Sequence, residues 1–204
     1  MQLVQNQAND GRIGAEVGGT KVSIGGVDAP LLYSSATQVA AIVAYGAAGT
    51  TIQVSVSYQG QVSNTVDVPL VAAAPSLFTV NQTGAGQAAG INFPNTFNTA
   101  VEPVKVGEFI SLYARGEGQT VPAGGDGQVV GSTPTHPLLP VSVTVDGLPA
   151  LVQYSGGIQG RVAGLMQVNV QIPSGVRPGG YVPVVLRVGE AASSPAGWIA
   201  VAGN

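Results

Sequence analysis

The single histidine of the chain, His136, stands in STPTHPLLP, with Ser132 just upstream and Asp126 in the preceding PAGGDGQ. A hydroxyl, an imidazole and a carboxylate brought together would give a nucleophile activated by a base, the machinery of an acyl-transfer hydrolase. The local sequence argues against it. His136 precedes Pro137, which biases it toward extended backbone in a Pro-rich stretch, and no G-x-S-x-G elbow occurs. His136 is therefore expected as a solvated loop residue. No catalytic residue is assigned, and a hydrolase using His136 is the lesser alternative.

Other chemistry is equally sparse. One His and no Cys exclude an ordinary structural zinc site. Calcium is conceivable around Asp126, where hard oxygen ligands could gather, but a lone carboxylate in a Gly-rich loop usually makes a turn. No metal ligand and no cofactor is assigned. Asp28, Asp67, Asp146, Glu102, Glu108 and Glu117 are scattered, and they are expected on strands or turns facing solvent. The glycine runs at 18–20, 84–90 and 123–128 neither lead into a helix nor end in GK[ST], so they read as loops rather than phosphate cradles. Tyr33, Tyr58, Tyr154, Tyr181 and Trp198 could form an aromatic platform for carbohydrate. Trp198, beside Ile199 and Val201, is expected in the core.

Composition narrows the classes further. The 204 residues are 45% hydrophobic, 8% charged and 5% aromatic, with Gly 30, Pro 14 and Cys 0. Such a chain can bury a core and lacks the signature of disorder. The seven Lys and Arg are dispersed and the net charge is −3, so no basic footprint for nucleic acid exists. No window approaches the roughly 18 unbroken apolar residues of a spanning helix. The opening MQLVQNQANDGRIG has no basic region followed by an apolar run, so it does not read as a signal peptide. The absence of cysteine fits either a cytoplasmic protein or an exported one without disulfides.

The elements that must carry these residues are strands. Period-two alternation recurs in KVSIGG, TIQVSVSY, NTVDVPLV, EFISLYARG, PVSVTVDG, LMQVNVQI, YVPVVLRV and GWIAVAG, each bounded by Gly, Pro, Asn or Ser. No segment has a helical period. The pattern also repeats: LLYSSATQVAAIV at 31–43 resembles LVQYSGGIQGRVAGLMQVNVQI at 151–172. Aligning Tyr33 with Tyr154 superposes Val22 on Val143, Ile24 on Val145 and Ala29 on Ala150. After insertions, Gln38 falls on Gln167, Val54 on Val184 and Ser63 on Ser193. The shared tyrosine position points to a structural role.

Two copies of one β unit follow, near 20–72 and 140–202. The second is preceded by VGEFISLYARG and a long polar loop, the first only by about twenty weakly patterned residues. The expected fold is all-β, two Ig-like β-sandwich units, the first incomplete: a truncated unit at 1–75 and a complete one at 76–204 that includes a linking segment at 76–100. The first unit should expose a strand edge and the apolar TQVAAIVA, inviting protein partners or self-association. The chain is either a fragment of a longer exported protein or obtains the missing strand from its assembly.

The runs PSLFTVNQTGAGQAAGIN, LYARGEG and GLMQVNVQIP, with the Gly-Gly loop PSGVRPGG and the closing WIAVAG, resemble the Solibacter-type C-terminal domain family abundant in large exported proteins of Acidobacteria. The resemblance runs from about residue 20 to the end. It implies an Ig-like extracellular or cell-surface module at the end of a longer polypeptide, with no established catalytic residues to carry over. The expected role is that of a non-catalytic spacer, adhesion or assembly element, the alternative being a carbohydrate-binding module.

Overall fold

The computed structural model describes residues 3–203, in which every regular element is a strand. The chain is all-β. It forms two compact units whose sequences interleave: residues 1–72, 123–134 and 159–163 make the first, and 73–122, 135–158 and 164–204 the second. The simple division into 1–75 and 76–204 therefore misses two segments. Backbone bonding explains why they join the first unit. Ile13 N–H donates to Gly127 O at 2.8 Å and Val129 N–H to Gly11 O at 2.7 Å, while Val129 bridges to Val162. The N-terminal residues are patterned too, since Val4–Gln5 pairs with Leu31–Ser34.

The principal strands of the first unit are β1 (Thr20–Ile24), β2 (Leu31–Ser34), β3 (Val39–Ala41), β4 (Thr51–Tyr58) and β5 (Val66–Pro69). Those of the second are β6 (Phe109–Arg115), β7 (Val141–Val145), β8 (Leu148–Gly157), β9 (Leu165–Gln171), β10 (Gly179–Val188) and β11 (Gly197–Ala202). Five strands of the first unit match five of the second, in order: β1 with β7, β2 with β8, and so on to β5 with β11.

The match extends to individual pairs. Val22 faces Val56 and Ile24 faces Val54 in the first unit; Val143 faces Leu186 and Val145 faces Val184 in the second. A β-bulge interrupts the β2–β3 ladder between Leu31 and Tyr33, and its counterpart interrupts β8–β9 between Val152 and Tyr154. Both tyrosines thus sit at the same irregularity, where an extra residue bends the strand. The hydroxyls of Ser63 and Ser193 accept the amides of Val56 and Leu186, each at 3.0 Å. The hairpins entering each unit turn on Gly25–Gly26, with φ of 63° and 82°, and on Asp146–Gly147, with φ of 53° and 77°. Two consecutive positive φ values are what a tight turn needs to follow the strand twist.

Burial, however, differs between the copies. Val168, Val170, Ile172, Val184, Leu186 and Ile199 are at most 1% exposed. Of their counterparts Val39, Ala41, Val43, Val54, Val56 and Val68, none is buried, and Val43 and Val68 reach 47% and 40% exposure. In the second unit β6 runs antiparallel beside β9 over seven residue pairs, and it brings Ile110, Leu112 and Ala114 into the core at 0% exposure. In the first unit β3 ends its sheet, with β2 on one side and no described strand on the other. The outer edge of β11 is likewise closed, by parallel pairing with Gly86–Gln87 and Val104–Lys105. Between them the buried Asn98 amide bonds both the N–H and the carbonyl of Ala200, at 2.8 and 2.9 Å. β5 has β4 alone among the described residues.

Candidate functional site

One group of polar side chains of the second unit gathers where β6 ends and β8 bends. β6 runs out at Gly116-Glu117-Gly118, where both glycines have positive φ, 82° and 74°, and the turn folds Glu117 inward to 2% exposure. The expectation that Glu117 faces solvent is thereby corrected. Two closely spaced positive-φ glycines reverse the chain at the end of a buried strand and carry the carboxylate with it. His136 and Pro137 form a two-residue strand against Thr120–Val121, extended as the following proline predicts.

Three groups meet there. His136 Nδ1 lies 2.7 Å from Ser155 O, so this nitrogen carries the proton and donates. The Tyr154 hydroxyl donates to Gly157 O at 2.6 Å, and the His136 and Tyr154 rings meet edge to face with centroids 5.5 Å apart. Gly156 makes this approach feasible, since a Cβ there would stand 2.4 Å from Thr135 O and 2.8 Å from His136 Nδ1. Burial, and secondarily the Glu117 carboxylate, raise the Tyr154 phenol above its ordinary value, which keeps it protonated and a hydrogen-bond donor. A phenol whose pKa is raised is a poor base and a poor nucleophile. The cluster ties down the irregular half of β8.

The remaining candidates are engaged separately. Asp126 belongs to the first unit, where Oδ1 accepts the Tyr45 amide at 2.7 Å. Among the described residues no three His, Cys, Asp or Glu converge as metal ligands. Asp28, Asp67, Glu102 and Glu108 are exposed, as expected. Asp146 is not: its side chain is 8% exposed and takes a forked bond from Arg177, Nη2 to Oδ1 at 2.6 Å and Nε to Oδ2 at 2.8 Å. Arg177 also donates its backbone N–H at 3.1 Å.

The clamp sets a pH dependence. The Arg177 side chain first, and its amide second, lower the Asp146 carboxyl from 3.8 to about 2. A lowered folded-state value means that the stabilisation is complete above the ordinary value and is lost as pH falls from about 4 toward 2. Acid titration of the second unit should lose stability in that window, and Asp146→Asn should flatten the loss. Above about pH 4 the same substitution should weaken the unit, because a neutral amide gives the guanidinium no charge to pair with.

The aromatic residues sort by strand face. Tyr33 and Tyr154 lie at the paired bulges, whereas Trp198 is half-buried rather than in the core, because β11 alternates and Ile199 and Val201 occupy its inward positions. On the other face Trp198 meets Tyr181 of β10, 77% exposed, with ring centroids 4.6 Å apart. An open depression over Glu16, Lys21, Ser57, Gln59 and Val62 also marks the first unit. Its one cation, Lys21, is shared by Glu16 and Asp28 at 3.5 and 3.7 Å. Comparison with protein-family models, curated proteins and solved structures finds no match to the chain.

Proposed function

We propose that the chain is a non-catalytic extracellular or cell-surface module of two Ig-like β-sandwich units. It serves as a spacer, adhesion or assembly element of a larger exported protein and engages protein partners through an uncovered strand edge. The observation that carries this reading is the duplicated ladder: one scaffold is built twice with the same register, bulge and serine bond, yet only one copy has its core face covered. The polar cluster supports it as well, since His136 and Tyr154 each bond a backbone carbonyl and, among the described residues, no nucleophilic side chain bonds the imidazole. The sequence resemblance to the Solibacter-type domain supplies the exported context.

Esterase, protease and glycosidase substrates presented to the wild type and to His136→Ala should give no His136-dependent turnover. Such turnover would replace the module reading with the hydrolase one. A second reading, carbohydrate binding, is favoured by the exposed Tyr181 against Trp198. Retention on polysaccharide resins that Tyr181→Ala weakens would establish it.

A further inference from the structure

We propose that β3 receives an extended strand from another polypeptide, running antiparallel, uncharged on its inward face, and seated in the register that β6 takes on β9. This deepens the assembly reading above and rests on it.

The internal repeat says what belongs there. On β9, Val168 faces Leu112, Asn169 faces Ser111 and Val170 faces Ile110. The corresponding positions on β3 are Val39, Ala40 and Ala41, whose pairing to β2 reproduces that of β9 to β8. An incoming strand in this register therefore places two aliphatic side chains beside Val39 and Ala41, which pack against the first unit's apolar cluster. Strand length follows the number of neighbours: β9 is regular over seven residues between two neighbours, and β3 over three with one.

Charge and edge chemistry select the site and the occupant. Val39 and Ala41 pack against an apolar cluster of Val17, Val22, Ile24, Ala29 and Leu31, so a charge on the inward face of the incoming strand would lie against apolar side chains. Another bare edge, β5, carries Asp67 and Pro69, the kinds of residue that block strand addition. Val39, Ala40 and Ala41 have no such guard. A second copy of the chain is a poor donor, because its β6 is already held between β9 and Gly90–Asn92. Its β3 offers only Val-Ala-Ala, too small to fill the space that Ile110 and Leu112 fill in the second unit.

The test uses a capped peptide with the sequence of residues 109–116, FISLYARG, added to the full chain. With peptide at about ten times its dissociation constant, amide exchange across 37–43 should slow about tenfold. A peptide carrying Ile110→Asp and Leu112→Asp should have no effect. Equal protection by both peptides, protection elsewhere only, or none would overturn the proposal. So would protection of 37–43 without peptide in a chain that sediments as a dimer, which would make a second copy the occupant. None of these outcomes touches the substrate screen, so a failed strand site and a failed non-catalytic reading are distinguishable.

Discussion

Gly116→Ala should cost the second unit more than about 4 kcal/mol, a large share of the roughly 5–15 kcal/mol by which native domains are stable. Two effects combine. Gly116 has φ of 82°, which an alanine reaches only with strain of about 1–2 kcal/mol. A Cβ there would also stand 1.9 Å from Ala74 O and 2.4 Å from its carbonyl carbon, and backbone cannot rotate aside as a side chain can. The collision falls beside the bond from Ala74 N–H to Gly116 O, which continues the pairing of Ser76–Leu77 with β6. Gly107→Ala is the control. Its φ is 85° but nothing lies within 4 Å of the added carbon, so it should cost only the strain. Denaturant titration of the two variants separates overlap from conformation, and equal losses would refute the overlap.

The second large effect is a contrast between twin positions. Val184→Ala should destabilise the second unit by about 2–3 kcal/mol, the transfer free energy of two buried methyl groups plus the cavity left behind. Val54→Ala removes the same atoms at the same ladder position and should cost the first unit about 1 kcal/mol. Val184 is 0% exposed and packs in the large cluster with Ile110 and Leu112, whereas Val54 is only half-buried at the edge of a cluster of five. Water already reaches that side chain, so truncation opens no closed cavity. Unfolding free energies read from each unit's slowest-exchanging amides would show the difference.

Much of this architecture was legible in the residues. Aligning Tyr33 with Tyr154 and Gln38 with Gln167 put equivalent strands of the two copies in correspondence, because period-two alternation and turn glycines leave little freedom to slip, whereas the bulge at both tyrosines is visible only in the structure. The lack of a counterpart to VGEFISLYARG was equally visible, and β3 does end its sheet. Four other features were not legible, for separate reasons. GWIAVAG is apolar on both faces, so alternation alone could not decide whether Trp198 or Ile199 points inward. Glu117 turns inward through the backbone of two glycines, which no side-chain pattern reports. The segment 123–134 joins the first unit through main-chain bonds to Gly11 and Ile13, which any residue types could make. Asn98 belongs with these, a lone amide in a loop that closes a strand edge.

Amide hydrogen exchange on the unmodified chain compares the copies most directly. Val39 and Ala41 should exchange at least about a hundredfold faster than Val168 and Val170, because one edge of β3 lacks the neighbour that β9 has in β6. Equal protection at the four positions would contradict an open first unit and, with it, a strand site on β3.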